Sequence, residues 1–282
     1  MKIVDVAEFY TDQGGGVKTY INGKLRAGAE HGHEVVIVAP GPESKIENRN
    51  GGKIIWVKSP PLIFDKRYYI FLSKNEIHRI LDRERPDIVE GSSPWTGGYF
   101  AGSWQGDAIK TFIFHVDAVA VYPHTILGNF LSFDKIDSLF GFYWYYLKKL
   151  SNKYDATIVS GNWLGDRLDK FNLKNTISVP FGIDKKFFSP ERRDLELRRR
   201  YLRELNLDDN AKLFICVSRY HPEKRLSTII DGFTRVKEKH KAGLMIFGDG
   251  PFRKWVEKKA NGVEHLKLMG FTSNRDELAD AM

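Results

Sequence analysis

Short apolar runs alternate along the chain with longer segments of helical periodicity. The runs are rich in β-branched and aromatic residues and have the length of single strands. They predict strands over residues 2–7, 34–40, 52–58, 87–93, 109–117, 156–161, 175–182, 212–219, 242–248 and 265–270. Because strands separated by helices are typical of βαβ units, the pattern predicts an α/β fold with mostly parallel sheets.

The segments between these strands predict helices. In residues 16–32, Tyr20, Leu25 and Ala29 fall roughly on one side, and Gly32 is a suitable C-terminal cap. Further helices are predicted over residues 70–86, 95–106, 133–155, 162–171, 191–206, 226–240, 251–260 and 273–282.

The alternation is interrupted once, over residues 181–194, where Gly182 and Pro190 accompany a run of charges. We interpret this segment as an interdomain linker. The sequence therefore predicts two Rossmann-like domains, residues 1–185 and residues 186–282, the second with three strands.

Composition narrows the class of protein. The 282 residues include one cysteine, Cys216, which excludes an internal disulfide and a cysteine-based zinc cage. No apolar run reaches the length of a membrane span, and the N-terminus does not resemble a signal peptide, so we predict a cytoplasmic protein. Three explanations fit the net charge of +8. Solvated helix faces are the first, and contact with an anionic membrane surface is the second. Binding to nucleic acid ranks last, since no nucleic-acid-binding motif accompanies the charge.

The first strand is followed by QGGGVKTY, residues 13–20, with Gly14, Gly15 and Gly16 in a row. Their spacing matches neither the dinucleotide-binding fingerprint nor the P-loop. No acidic residue ends the second strand either, which argues against an NAD-dependent dehydrogenase. Glycines at such a turn let a ligand approach the backbone, whereas a merely flexible turn explains one glycine better than three.

The second domain has polar residues where its three strands end. Arg219 and Lys224 flank the turn after the first strand, where a planar guanidinium and a point charge suit a diphosphate. The alternative is that they are exposed turn charges. Gly248 and Gly250 follow the next strand, and residues 270–272 follow the third. Ligands bind at this edge of parallel sheets, so the three turns together favour a binding site.

In this order, QGGGVKTY, TFIFHVD, ATIVSGNWLGDRL, ISVPFGID, VSRYHPEKR, IFGDGP and MGFTS resemble the retaining GT-B glycosyltransferases of family four, over residues 13–272. The resemblance implies two Rossmann-like domains facing a cleft, an acceptor-binding domain followed by a nucleotide-sugar-binding domain. It also implies a mannosyltransferase-like enzyme that transfers a hexose to a lipid or glycan hydroxyl. GDP-mannose is the first expectation for the donor and a UDP-hexose the second, with no metal or other cofactor.

The resemblance assigns roles to individual residues. Arg219 and Lys224 would bind the donor diphosphate and stabilise the leaving group, and His115 would contact the transferred sugar. Asp117 is a less certain site residue that could instead cap a turn. The donor site would also include Gly248, Gly250, Phe271 and Thr272, and the acceptor-side or phosphate loop would include Gly15 and Gly16.

The aromatic stretch SLFGFYWYYLKKL, residues 138–150, has two interpretations. Its aromatic residues surround the predicted helix, which favours packing against the sheet. The neighbouring Lys148, Lys149 and Lys153 also suit a peripheral contact with an anionic membrane.

The sequence departs from the family at its end. Family members continue to an acidic motif, two glutamates around Phe-Gly, whereas the 282-residue sequence ends at ELADAM. We therefore expect a truncated chain of poor activity, with a non-catalytic nucleotide- or acceptor-binding remnant as the alternative. A GT-B-type epimerase would need acid–base residues around the sugar, and no such constellation is found.

Overall fold

The computed structural model describes residues 1–12, 15–63, 65–173 and 175–282. They form two compact units, Met1–Phe181 and Gly182–Met282. The division lies at the start of the segment predicted to be a linker. The acceptor and donor roles predicted for residues 1–185 and 186–282 stay predictions.

The first unit is built on one twisted sheet. Its strands are Lys2–Val6 (β1), Glu34–Gly41 (β2), Lys45–Arg49 (β3), Gly52–Lys58 (β4), Ile88–Gly91 (β5), Ile109–Phe114 (β6), Ala156–Val159 (β7) and Thr176–Ser178 (β8). Within the described residues the order is β3-β4-β2-β1-β5-β6-β7-β8. Neighbours are parallel except β3 and β4. The strand order reverses between β1 and β5, where doubly wound sheets bind ligands.

Helices cover this sheet. They are Gly16–Glu30 (α1), Lys74–Glu84 (α2), Thr96–Ser103 (α3), Ala118–Val121 (α4), Pro123–Leu127 (α5), Phe133–Leu139 (α6), Gly141–Ser151 (α7) and Asn162–Lys170 (α8). Alternate residues of β2 enter different cores, because successive side chains of a strand point to opposite faces. Val36 and Val38 pack in one cluster, and Val35 and Ile37 pack in another. Both faces of the sheet are therefore buried.

The second unit has the same plan on a smaller scale. Its strands are Lys212–Val217 (β9), Ala242–Phe247 (β10) and Leu266–Gly270 (β11), and its helices are Leu195–Glu204 (α9), Leu226–Lys237 (α10), Arg253–Ala260 (α11) and Arg275–Ala281 (α12). Among the residues described, the three strands are parallel in the order β11-β10-β9. Leu244 and Ile246 face one core, and Met245 and Phe247 face the other. The predicted α/β class is confirmed.

Some predicted elements were wrong. The helix over residues 133–155 is interrupted at Phe140, next to Gly141, a poor helix former. The strand over residues 175–182 ends at Ser178, shortly before Pro180, which has no N–H for a ladder. The polar edge strand β3 was not predicted. In α1 the buried residues are Ile21, Leu25 and Gly28, with Ala29 exposed, whereas Gly32 has the positive φ, +71°, expected of a helix-terminating glycine.

Candidate functional site

The three turns at the carboxyl edge of the second unit are joined by backbone hydrogen bonds. Ser218 N–H donates to Phe247 O at 2.9 Å, and Tyr220 N–H donates to Asp249 O at 2.9 Å. Gly248 N–H donates to Gly270 O at 2.7 Å. The turns after β9, β10 and β11 therefore meet in one continuous edge.

Gly248 and Gly250 are required by the close approach of two of these turns. A Cβ at Gly248, whose φ is +139°, would lie 1.9 Å from the carbonyl oxygen of Ser218. A Cβ at Gly250 would lie 2.6 Å from the carbonyl oxygen of Tyr220. The chain's own packing thus explains both glycines, and their contact with a donor stays a prediction.

The turn after β9 brings three basic side chains to one carboxylate. Arg219 Nη2 donates to Glu223 Oε1 at 3.3 Å. Lys224 Nζ lies 3.7 Å and His221 Nδ1 lies 3.8 Å from the same oxygen. In the described part of the chain, no other carboxylate oxygen lies within 4.0 Å of the Arg219 or Lys224 head group. The two cations therefore reach one anionic atom.

Arg219 and Lys224 are also open to solvent. Their side chains are 48% and 49% exposed, against 18% for Glu223. Each head group carries several N–H donors, and contact with Glu223 leaves room for hydrogen bonds to a ligand. Glu223 lies within the stretch VSRYHPEKR, but the sequence did not predict this contact, because the contact depends on the local 3₁₀ turn Pro222–Lys224.

Phe271 and Thr272 follow β11 and differ in their surroundings. The Phe271 ring is 75% exposed. Thr272 Oγ1 accepts from Asn274 N–H at 3.0 Å, just before α12. An exposed ring at this edge suits stacking on a planar group, whereas the threonine hydroxyl already stabilises the turn.

His115 directly follows β6 in the first unit, and its ring forms a three-ring cluster with those of Tyr20 and Phe181. The ring centroids of Tyr20 and Phe181 lie 5.0 Å and 5.6 Å from that of His115. Its buried Nε2 has no hydrogen-bond partner among the described residues. Burial lowers the pKa of His115. The imidazole is therefore neutral at pH 7, and its Nε2 has unused hydrogen-bonding capacity among the described residues. Tyr20 and Phe181 lie in stretches that the sequence singled out, but their contact with His115 was not predicted.

An ionic cluster lies near His115. Asp5, fully buried on β1, contacts Lys24 Nζ at 2.8 Å and accepts from Ser92 Oγ at 2.6 Å. Lys24 also pairs with Glu90 on β5. Asp5 raises the pKa of His115 and Lys24 lowers it, both less than burial does. In the sequence, this cluster is indicated by Asp5, an acidic residue within the apolar run KIVDVA.

Asp117 has a structural role, the alternative that the sequence left open. Its Oδ1 accepts from the backbone N–H groups of Val119 and Ala120 at 2.8 Å and 3.0 Å, which caps α4. Its Oδ2 pairs with Arg167. Arg167 also donates two hydrogen bonds to Asp137, at 2.7 Å and 2.8 Å. These contacts fix the segment that follows His115.

Gly15 and Gly16 begin α1, while Gly14 lies outside the described residues. A Cβ at Gly15 or Gly16 would meet no atom within 4 Å among the residues described. The chain's own packing therefore does not require glycine at these two positions. Their role in an acceptor-side or phosphate loop stays a prediction.

Two further features bear on the class of site. In residues 1–12, 15–63, 65–173 and 175–282, no group of three or more histidine, cysteine or acidic side chains is arranged to hold a metal ion. The same residues contain no helix that is both long and apolar enough to cross a bilayer.

Two family models match the chain in succession. The model of Glycosyltransferase Family 4 matches residues 14–187, and that of glycosyl transferases group 1 matches residues 198–282. One similar protein is the GDP-mannose-dependent alpha-(1-6)-phosphatidylinositol dimannoside mannosyltransferase of Mycobacterium tuberculosis. It is 26% identical over 99% of this chain and 70% of its own length. The alpha-monoglucosyldiacylglycerol synthase of Streptococcus pneumoniae is 24% identical over 96% of this chain and 61% of its own length.

A solved structure shows a similar fold. Alr3699/HepE of Anabaena, crystallised with UDP and glucose, superposes with a TM-score of 0.63 at 12% identity, over 99% of this chain and 72% of its own. This likeness supports the predicted GT-B fold. The family model of the first unit covers more than half of the 282 residues. The chain therefore belongs to glycosyltransferase family 4 and is a hexosyltransferase, as the order of its motifs predicted.

Proposed function

We propose that the chain transfers a hexosyl group, with retention of anomeric configuration, from a nucleotide sugar to a hydroxyl of a lipid or glycan. The observation that carries this proposal is the turn after β9, where Arg219 and Lys224 contact the same carboxylate oxygen at 3.3 Å and 3.7 Å. Two cations that reach one anionic atom can also reach neighbouring oxygens of a diphosphate, because those oxygens lie close to one another.

The chemistry makes use of these charges. When the bond between the anomeric carbon and the diphosphate breaks, its electron pair goes to the phosphate oxygen. Arg219 and Lys224 stabilise that negative charge without rearranging. The acceptor oxygen forms the new bond to the anomeric carbon, and its proton passes to the departing phosphate. No step is assigned to a metal.

His115 is proposed to hydrogen-bond a hydroxyl of the transferred sugar. Its support is the buried Nε2 without a partner among the described residues, on a ring that contacts those of Tyr20 and Phe181. Burial lowers its pKa, so the ring is neutral at pH 7 and does not repel an oxocarbenium-like centre. Gly15 and Gly16 remain the proposed approach to the acceptor.

GDP-mannose is the first donor to test, since the mycobacterial relative is named as GDP-mannose-dependent. A UDP-hexose is the second, since the Anabaena structure contains UDP and glucose. The proposed base contact is Phe271, because its ring is exposed at the edge of the sheet. An aromatic face stacks on either base, so this contact does not select between them.

A lipid acceptor, with peripheral membrane contact, is supported by exposed apolar side chains on and beside helices α5–α7. We call them the aromatic surface; they are Ile126, Phe130, Phe133, Leu139, Phe142 and Tyr145. Tyr143 and Trp144 of the same stretch are buried, so only part of it packs on the sheet. Exposed Lys135 and Lys149 accompany the aromatic surface, as at interfaces with anionic lipid.

The direct test is transfer. Purified protein is incubated with GDP-mannose or UDP-glucose and with extracted glycolipids, and products are analysed by mass spectrometry and by NMR of the new linkage. We expect a hexosylated product with an α linkage from an α-linked donor. A β linkage would refute retention. Donor binding without transfer to any acceptor would instead support the non-catalytic alternative.

Membrane contact has its own test. Sedimentation with vesicles of phosphatidylglycerol and phosphatidylcholine should show binding at low salt, and the double change Phe130→Ser, Phe142→Ser should reduce it. Equal sedimentation of the variant and the unaltered protein would contradict a role for the aromatic surface.

A further inference from the structure

Glu223 lies among the basic side chains of the turn after β9. Its Oε1 is 3.3 Å from Arg219 Nη2, 3.7 Å from Lys224 Nζ and 3.8 Å from His221 Nδ1. The carboxylate is more buried than either cation, since its side chain is 18% exposed and theirs are 48% and 49% exposed. A diphosphate that binds Arg219 and Lys224 therefore arrives beside an existing negative charge.

This carboxylate has two opposing effects on an incoming diphosphate. It holds the two cations close together, which favours binding, and it repels the phosphates, which opposes binding. The contacts of 3.3–3.8 Å are longer than the roughly 2.7–2.9 Å of strong charge-assisted hydrogen bonds. The holding effect is therefore weak. A unit charge a few ångströms away changes the affinity of an anion by about tenfold or more at a protein surface, so repulsion dominates.

The repulsion acts more strongly on the product than on the donor. In a nucleotide sugar both phosphates are esterified and carry one charge each. Release of the sugar frees the terminal phosphate, whose second ionisation has a pKa of about 6, so the nucleoside diphosphate carries an additional negative charge at pH 7. A nearby carboxylate therefore weakens product binding more than donor binding.

We propose that Glu223 is a resident counter-anion that promotes release of the nucleoside diphosphate after sugar transfer. This inference rests on the proposed function of Arg219 and Lys224. Glu223 acts on the phosphates by direct charge repulsion, beside the two cations that bind them. Replacing its charge should tighten product inhibition and lower the turnover rate.

Titration calorimetry tests this with GDP and GDP-mannose, and in parallel with UDP and UDP-glucose. Glu223→Gln removes the charge at nearly constant shape, and Glu223→Asp keeps the charge. Glu238→Gln is the matched control, because Glu238 is exposed at the other end of the 12-residue helix α10, about 18 Å away. Arg219→Ala reports whether the diphosphate binds at this turn.

For the nucleotide that the protein binds, we expect Glu223→Gln to increase the affinity for the nucleoside diphosphate about tenfold. The affinity for the nucleotide sugar should increase by a smaller factor. Glu223→Asp and Glu238→Gln should bind like the unaltered protein. If Glu223→Gln binds the diphosphate no more tightly while Arg219→Ala loses it, the counter-anion inference is wrong and the donor site stands. If Arg219→Ala also binds normally, or the unaltered protein binds neither nucleotide, the donor site itself is wrong.

Discussion

His115 and the pair Arg219–Lys224 both follow parallel strands, but their surroundings differ. His115 contacts two aromatic rings, has a ring nitrogen without a partner among the described residues, and has a pKa lowered by burial. Arg219 and Lys224 are about half exposed and share one carboxylate. A buried neutral group can direct a hydrogen bond without attracting ions, whereas exposed charges attract a phosphate at little cost to folding. The same position in the two sheets is thus suited to two different tasks.

The ionic groups of the two units differ in the same way. In the first unit, Arg167, Asp117 and Asp137 form a buried network with side chains 10%, 2% and 5% exposed. In the second unit, the ionic group around Glu223 faces solvent. We therefore expect changes in the first network to affect stability and changes in the second to affect ligand binding.

The largest expected effect is on stability. Arg167→Ala leaves two buried carboxylates without their shared cation, so the first unit should lose about 3–5 kcal/mol of unfolding free energy. Urea unfolding followed by tryptophan fluorescence measures this. Arg219→Ala is the control and should change stability by less than about 0.5 kcal/mol, because its side chain is exposed. Equal losses in the two variants would contradict the distinction between the units.

The second effect is on catalysis. Arg219→Ala removes a preorganised cation from the leaving group, so kcat/KM for the nucleotide sugar should fall about 10²–10³-fold. Steady-state kinetics measure this loss. Lys212→Ala is the matched control, since Lys212 is an exposed cation at the opposite end of β9. A similar loss in Lys212→Ala would indicate a general effect of charge.

The third effect concerns His115. His115→Ala removes one hydrogen bond to the sugar, so kcat should fall by about tenfold, the upper value for a neutral hydrogen bond. His31→Ala, an exposed histidine after α1, should leave kcat unchanged. An unaffected kcat in the His115 variant would remove this residue from the sugar site.

The smallest effect is a pH dependence of stability. The folded pKa of His115 is below its ordinary value of 6.5, so the unfolded state binds more protons at low pH. Its contribution is fully present above pH 6.5 and is lost as the pH falls towards the folded pKa. The difference in unfolding free energy between the unaltered protein and His115→Gln should decline below pH 6.5 by less than about 1.4 kcal/mol per pH unit. A constant difference from pH 7.5 to 5 would contradict the burial of a neutral ring.

Local pattern was sufficient for much of the fold. Strand β4 was predicted with its observed bounds, because GKIIWVK is a compact apolar run between turn residues. The polar strand β3 was missed, since an edge strand pairs on one side only and needs no apolar pattern. The interruption at Phe140 was missed because the aromatic residues continue through it.

The site was predicted only in its local parts. Arg219 and Lys224 were proposed because they follow the end of a strand, and ligands bind at strand ends in parallel sheets; their role stays a prediction. Their shared contact with Glu223 depends on side-chain directions in a 3₁₀ turn, which the sequence does not encode locally. The rings around His115 come from residues 20 and 181, so only tertiary structure brings them together.

The turn after β9 is proposed to bind the donor diphosphate. The most direct measurement is the affinity of the protein and of Arg219→Ala for guanosine, GMP and GDP, with the uridine series in parallel. In the unaltered protein, each added phosphate should increase affinity by about tenfold or more for the nucleotide that is bound, because each brings charge to the two cations. In Arg219→Ala these increments should largely disappear. Increments of equal size in the two proteins would show that the diphosphate does not bind at Arg219.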